Sequence, residues 1–423
     1  MANRWDWIAV ASILAGVVVR IIWGLVIHPP FEYLYSDMGG YVGRAERLVT
    51  GTGLLRFDAF FPPGTHILLA TPMTLFGTER AGLWAGAVLW CALSAATPFF
   101  AWRLARLLLT PAAAALTALL CAFWPLYITY GAFFTSETPS LAFLLASLWA
   151  GYRAGRLSGR KAGWLGLVAG LLGGIAVASR PQLILNLAVL VVPLLFRLRR
   201  QAPVLAGIVG GTAVILAGTV LHNSAAAGKP TGLSENAGLN FWIGHCDVHD
   251  VTTVDTDPNY TLKFGNPVWA QLGRGGSYRF EGYLVWDQAF FYEMGLRCIE
   301  RDGFGHVRVL ARNLLNMTAT TVPWPQSNGD WQRAAVLVSN LAYSLLLPLI
   351  VIYSILIILR RPSGWSSGEM VVLLQLACAV LVALFFFGDP RLRSTYDVFG
   401  LALLAACIAD LFGLDEPRRK PAE

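Results

Sequence analysis

The sequence predicts an all-α protein that crosses a membrane about ten times and carries one large extracytoplasmic loop. Three observations predict it: the charges are few, the apolar residues form long runs, and the basic residues are unequally shared between the segments joining those runs. Of the 423 residues, 56% are hydrophobic and 13% charged. A soluble domain has about 25% charged residues, so half that share leaves too little polar surface to coat a soluble globule. Lipid is the solvent that fits. The net charge of +7 would suggest nucleic acid in a soluble chain. Here the basic residues sit in short loops between apolar runs, a pattern of membrane orientation, and no nucleic-acid partner is expected.

The predicted spans are 7–27, 80–102, 111–130, 138–152, 162–178, 181–196, 203–222, 334–358, 369–387 and 395–413. At about 1.5 Å per residue each reaches across a hydrocarbon layer about 30 Å thick, the shortest only just. The run from Trp7 to Ile27 is too long for a signal-peptide core and has no small-residue cleavage site, so it is read as the first span. A further apolar stretch, Pro62 to Phe76, is short, opens with Pro62-Pro63 and contains Pro72. It reads as an interfacial or re-entrant helix.

Basic residues test the count. With the N-terminus inside, the cytoplasmic segments hold Arg4, Arg103, Arg106, Arg153, Arg156, Arg160, Lys161, Arg197, Arg199, Arg200, Arg360, Arg361, Arg418, Arg419 and Lys420, which is 15 of the 32 lysines and arginines. The outer segments hold 16 over far more chain, and Arg20 lies within the first span. This is the positive-inside bias, and it places both termini in the cytoplasm. A crossing at 62–76 would invert every later loop.

The chain thus divides into an N-terminal transmembrane module (1–222, with an outer loop at 28–79), an extracytoplasmic loop (223–333), and C-terminal helices with a short cytoplasmic tail (334–423). In the first loop Tyr41, Ala45, Leu48 and Val49 share a helical face, while Arg44, Glu46 and Arg47 point elsewhere, as in a helix lying on a membrane surface. The long loop's first half is rich in Gly, Asn, Asp and Thr and reads as irregular. Its second half, about Tyr283 to Thr318, reads as two amphipathic helices broken at Asp302-Gly303. No repeat or low-complexity tract is evident.

Cys91, Cys121, Cys378 and Cys407 fall in apolar runs and read as small core residues. Cys246 and Cys298 share the long outer loop and are either a disulfide or two unrelated thiols. Around Cys246, the residues His245, Asp247, His249 and Asp250 could suggest a metal, since His245 and His249 are four apart. The stretch is turn-rich, so ordinary loop residues are the reading taken, and no metal or other cofactor is assigned.

Few charges lie near the outer ends of the spans: Asp37, Glu137, Arg180, Asp389, Arg391 and Arg393, with Arg20 deeper. Such groups are costly beside apolar spans and usually serve a polar cavity. A single arginine could instead snorkel to the headgroups. Several on one side, together with carboxylates, favour a shared site. Arginine's forked donors match phosphate oxygens, and a shielded aspartate can act as general base toward a hydroxyl or amine. No Walker loop, dinucleotide fingerprint, zincin motif or Ser-His-Asp pattern is present.

Several motifs resemble one family. Ser36-Asp37 followed by Tyr41, Ala45, Gly51 and Gly53 resembles the first outer loop of the C-fold (GT-C) glycosyltransferases, in the branch of the protein O-mannosyltransferases and the lipid A aminoarabinose transferase. Phe61-Pro62-Pro63-Gly64, Leu75-Phe76-Gly77, Thr135-Ser136-Glu137-Thr138, Ser179-Arg180-Pro181, Asn240-Phe241-Trp242-Ile243-Gly244 and Gly388-Asp389-Pro390-Arg391-Leu392-Arg393 are similar to later motifs of that family, in the same order. The departures are Met38 after Asp37, where many relatives have a second acid, and His245 in place of an asparagine.

The resemblance implies a sugar donor linked to a polyprenyl phosphate, an acceptor that is a lipid, glycan or protein at the outer face, and a bacterial inner membrane as location. It implies Asp37 as base; Glu137 is expected to position the acceptor or to support Asp37. Arg391, Arg393 and Arg180 are expected at the donor phosphate, and Tyr41, His66, Asn240 and Trp242 as further substrate contacts. The rival readings are a lipid-linked-sugar flippase, which should show repeat-related broken helices, and a non-catalytic partner in glycan assembly.

Overall fold

The computed structural model describes residues 4–34, 37–196, 198–246, 250–254, 261–265, 278–279, 286–318, 330–359 and 368–414. Ser36, Asp247, His249, Tyr283 and the tail from residue 415 therefore lie outside the described residues.

The N-terminal helices are α1 (Arg4–Ile21, continued by wider turns through Ile27), α2 (Asp37–Thr50), α3 (Gly64–Phe76), α4 (Arg80–Leu108), α5 (Pro111–Phe123), α6 (Pro125–Tyr130), α7 (Glu137–Ala154), α8 (Gly159–Ser179), α9 (Ile184–Leu195) and α10 (Leu198–Ala227). The long loop contributes α11 (Ala237–His245), α12 (Gln288–Asp302) and α13 (Val307–Asn316). Then come α14 (Asp330–Leu359), α15 (Gly368–Phe385), the single turn α16 (Pro390–Ser394) and α17 (Asp397–Leu411).

Each of the ten predicted spans overlaps helix, and the one at 111–130 is broken at Trp124-Pro125. Among the described residues, six stretches are long and apolar enough to cross a membrane: Arg4–Glu32, Arg80–Leu108, Gly159–Ser179, Arg200–Ala227, Leu337–Leu359 and Gly368–Phe385. The helices α5, α9 and α17 are apolar but shorter.

Two features of sequence explain the tightest packing. Glycines let α8 and α10 touch backbone to backbone: a Cβ on Gly166 would stand 2.6 Å from the Val204 carbonyl oxygen, and one on Gly207 2.6 Å from that of Gly163. Small residues allow such close approach between membrane helices. The second feature is the break between α5 and α6. Pro125 has no N–H to offer the carbonyl of Cys121, so the helix ends there. Arg20 of α1 fills the gap. It donates to the carbonyls of Cys121 (3.0 Å) and Ala122 (2.6 Å), and to Gly16 O and Ser94 Oγ (3.0 Å each). A positive charge at a helix C-terminus is also favourable. Arg20, 1% exposed, thus joins three helices rather than serving a cavity.

The loops depart from expectation in two places, and in a third the structure decides between two open alternatives. Helix α2 forms as predicted, but Arg44 is buried. It stacks 4.4 Å from the Phe61 ring and lies 3.5 Å from Asp58, which also pairs with Arg47. A carboxylate 1% exposed holds both arginines inward, which a surface-helix pattern could not reveal. In the long loop, the half expected to be irregular contains α11 and a small antiparallel sheet. There Asp250–Val254 pairs with Thr261–Gly265, and the latter with Tyr278–Arg279. The β-branched run Val251-Thr252-Thr253-Val254 suits a strand. Finally, Cys246 and Cys298 are bonded, with Cα atoms 5.4 Å apart, which ties the end of α11 to α12. The other four cysteines are not in disulfides, and three of them are buried.

We predict that Arg20→Met lowers the thermal stability of the purified protein, since each buried carbonyl left without a donor costs about 1–3 kcal/mol. Arg20→Lys should restore part of the loss. A melting temperature of Arg20→Met equal to wild type would contradict this role.

Candidate functional site

A cavity of about 370 Å³ opens where six segments converge at one end of the bundle. Helix α2 supplies Asp37 and Tyr41, and the turn before α3 supplies Phe61 and Pro62. Ser136 precedes α7. Ser179, Arg180 and Gln182 come from the α8–α9 junction, and Asn236 and Asn240 from α11 and the residue before it. Phe386, Asp389 and Arg391 follow α15. Gly64 brings two of these walls together: a Cβ there would lie 2.6 Å from Ser179 Oγ.

Arg391 occupies the centre. Its Nη1 is 3.1 Å from Asp37 Oδ2, and its Nε donates to Glu137 Oε1. Glu137 also faces Arg180 Nη1 at 3.5 Å. Asp37 and Glu137 are the first residues of α2 and α7, where the helix dipole favours a carboxylate. Burial works against the charge on Arg391, but Glu137 and Asp37 outweigh it and raise its pKa. Tyr41, buried beside Asp37, has its hydroxyl pushed up to about 12, so it stays a neutral donor.

Asp389 starts α16. Its carboxylate accepts from the backbone N–H of Arg391 at 2.6 Å, with Pro390 at the first helical position. Burial holds this carboxyl above the usual aspartate range. Exposure ranks the charged groups. Asp37 is 25% exposed and Arg391 18%, whereas Arg180 and Glu137 are at 6% and 3%. Asp37 and Arg391 are therefore the pair most open to a ligand.

Arg393 departs from the expectation that it would share a ligand with Arg391. The two would point the same way on an extended segment, but Pro390–Ser394 is helical. Residues two apart on a helix diverge by roughly 200°. Arg393, 1% exposed, turns into the bundle. It pairs with Asp397 at 2.8 Å and donates to Met317 O (2.7 Å) and Asn340 Oδ1 (3.1 Å). It also sits 4.0 Å over the Tyr343 ring. Asp397 in turn accepts from Trp124 Nε1 at 3.1 Å.

Of the four further residues expected at the substrate, Tyr41 and Asn240 line the cavity and two do not. His66 is fully buried and pairs with His222, Nε2 to Nε2 at 3.3 Å. Trp242 packs on Phe291 at 5.7 Å. Gln182 and Asn236 line the cavity but carry no motif; Gln182 is a polar residue at the mouth of an apolar span, and Asn236 has no signal in the sequence. Among the described residues no group of three or more His, Cys, Asp or Glu could hold a metal. His245 instead links to His306 (Nδ1 to Nε2, 2.9 Å) and to Phe385 O (3.0 Å), with Asp302 3.3 Å beyond His306.

A second cavity, about 970 Å³ and mostly apolar, lies farther along the seam between α9 and α15. Leu185, Val189 and Val192 face Leu374, Cys378 and Leu381 there. On the same two helices, Asn186 and Gln375 exchange side-chain and backbone hydrogen bonds of 2.7–3.2 Å.

The model of the dolichyl-phosphate-mannose-protein mannosyltransferase family matches residues 61–221. No protein of curated function matches the sequence. Among solved structures, the apo oligosaccharyltransferase of Archaeoglobus fulgidus aligns with TM-score 0.56 at 15% identity, over 96% of this chain and 51% of that one. The oligosaccharyltransferase AglB of the same organism, in complex with an inhibitory peptide and a dolichol-phosphate, gives 0.55 at 14%, over 96% and 50%. Apo ArnT from Cupriavidus metallidurans gives 0.42 at 14%, over 94% and 76%, a score too low to carry weight. This chain spans about half the length of the archaeal enzymes it matches, and at these identities the likeness establishes the fold.

We predict that Arg393→Met costs about 3–5 kcal/mol of stability, because it strands a buried carboxylate. Arg393→Met with Asp397→Leu should recover much of that. Thermal denaturation checks this; an Arg393→Met protein as stable as wild type would refute the anchoring role.

Proposed function

Taking as premise the GT-C fold that this integral membrane chain shares with membrane glycosyltransferases, we propose that it transfers a sugar from a polyprenyl-phosphate carrier to an acceptor. The observation that carries this reading is the meeting of Asp37, Arg180 and Arg391 in one cavity at the end of the bundle, with the buried Glu137 paired to both arginines behind its wall. A base and a phosphate-binding arginine stand about one hydrogen bond apart there. The apolar cavity on the α9–α15 seam adds support, since a lipid phosphate must lay its chain in apolar surroundings. The archaeal AglB structure was determined with a dolichol-phosphate, a carrier of that class.

In the proposed reaction the acceptor hydroxyl or amine attacks the anomeric carbon. Asp37 takes its proton as the new bond forms. The bond from that carbon to the phosphate oxygen breaks, and the electron pair leaves with the lipid phosphate. That product is already a stable anion, so no separate acid is required. Arg391, supported by Arg180, neutralises the phosphate. Its forked donors, now turned partly toward Asp37, can exchange that partner for phosphate oxygens. Glu137 fixes the orientation of Arg391, and Tyr41, Asn240 and Gln182 offer hydrogen bonds to the sugar or acceptor. Arg393 acts at a distance, by holding α16. We place the site on the extracytoplasmic side of a bacterial inner membrane with both termini in the cytoplasm, following the bias of basic residues.

Asp37→Asn should fold and bind donor but lose transfer by about a thousandfold or more. Arg391→Lys should keep the charge, lose the fork and weaken donor binding about tenfold, equivalent to about 1.4 kcal/mol. The assay is release of sugar from a polyprenyl-phosphate donor by purified protein in nanodiscs. Wild-type turnover by Asp37→Asn would remove the base assignment, and unchanged donor affinity in Arg391→Lys would remove the phosphate assignment.

A further inference from the structure

One face of the long loop's last helix, α13, is apolar and uncovered. Phe304, in the turn before it, is 93% exposed, Val307 53% and Leu315 69%, and Ala311 between them is exposed too. Their spacing puts them on one stripe of the helix. Arg308, also exposed, borders the stripe. Residues 297–312 hold four arginines, Arg297, Arg301, Arg308 and Arg312, against Glu300 and Asp302.

The opposite face is fixed to the bundle. Asn313 donates to Gly244 O at 3.0 Å, and Arg393 donates to Met317 O at 2.7 Å. The depth of the helix follows from its end. Ser344 Oγ donates to Thr318 O at 2.9 Å, and Ser344 lies inside the membrane-length apolar stretch Leu337–Leu359. The C-terminal end of α13 is therefore level with lipid-facing helix surface. Close by, Phe385 at the end of α15 is 53% exposed.

We propose that α13 is an interfacial helix that docks on anionic lipid. Phe304, Val307 and Leu315 enter the boundary between headgroups and acyl chains, and Arg308 and Arg301 meet lipid phosphates. The occupant is the bilayer itself, because the stripe runs on from the apolar belt of α14 and α15. The inference rests on membrane integration and is independent of the sugar-transfer reading. It gives the long loop a mechanical role. Helix α13 holds Gly244 directly and His245 through His306, so its seat on the lipid sets the height of α11, which carries Asn240 into the cavity wall.

The test places the photoreactive residue benzoylphenylalanine at position 304, 315 or, as control, 300. The full chain is illuminated in nanodiscs of phosphatidylcholine with phosphatidylglycerol. Mass spectrometry should find lipid adducts from 304 and 315 and few from 300, with phosphatidylglycerol enriched over its share. Arg301→Gln with Arg308→Gln should bring that enrichment down to the supplied ratio. Absence of lipid adducts at 304 and 315 would overturn the docking, as would adducts to another protein from native membranes. Enrichment unchanged by the arginine substitutions would overturn the anionic preference.

Discussion

The site depends on one buried ion pair that does not belong to it. Arg393 and Asp397 meet at 2.8 Å with almost no solvent contact. Their remaining bonds reach Met317 O, Asn340 and Trp124. The break at Trp124-Pro125, the end of α13, α14 and α17 are thereby fixed around α16. That turn has only five residues and could not hold itself in place. With Arg393 facing inward, helical geometry obliges Arg391 to face outward, where it meets carboxylates from two other helices. Replacing such a pair by apolar residues can be tolerated, whereas breaking it is costly. Here the pair also decides which way the neighbouring arginine points.

The cavity is built by the same logic from several directions. Glycine at 64 lets the turn before α3 touch the α8–α9 junction, which sets Arg180 against Glu137. The Cys246–Cys298 bond and the chain Phe385–His245–His306–Asp302 bind α11 to α12, α13 and the end of α15. A loop that would otherwise cap the cavity loosely is thus tied at several points. Closing a loop of this length with a disulfide removes about 4 kcal/mol of unfolded-state entropy in the simplest chain model.

The helices were legible because membrane spans announce themselves by length and apolar content, and each predicted span overlaps helix. Asp37, Glu137, Arg180 and Arg391 were legible as rare charges beside apolar runs, and ion pairs link all four in the structure. Arg393 carried the same signal, yet its partner is four residues away in the next helix, because Pro390 starts a helical turn that points the two arginines apart. Trp242 lies within a motif and His66 two residues beyond one, and such a position says nothing of which way a side chain turns. Gln182 and Asn236 escaped notice because ordinary polar residues become significant only when folding brings them to a wall. Arg44 was misread for a related reason: its counterion, Asp58, comes from a turn whose path the helical pattern does not encode.

In the proposed reaction a lipid phosphate binds at Arg391, with its chain along the α9–α15 seam. A structure of the protein in nanodiscs with bound polyprenyl phosphate tests this most directly. The account predicts the phosphate oxygens within hydrogen-bond distance of Arg391, and the first isoprene units between Gln182 and Phe386 on the way to the apolar cavity. A phosphate seated elsewhere, such as at Arg156 beside the far end of that apolar cavity, would contradict it.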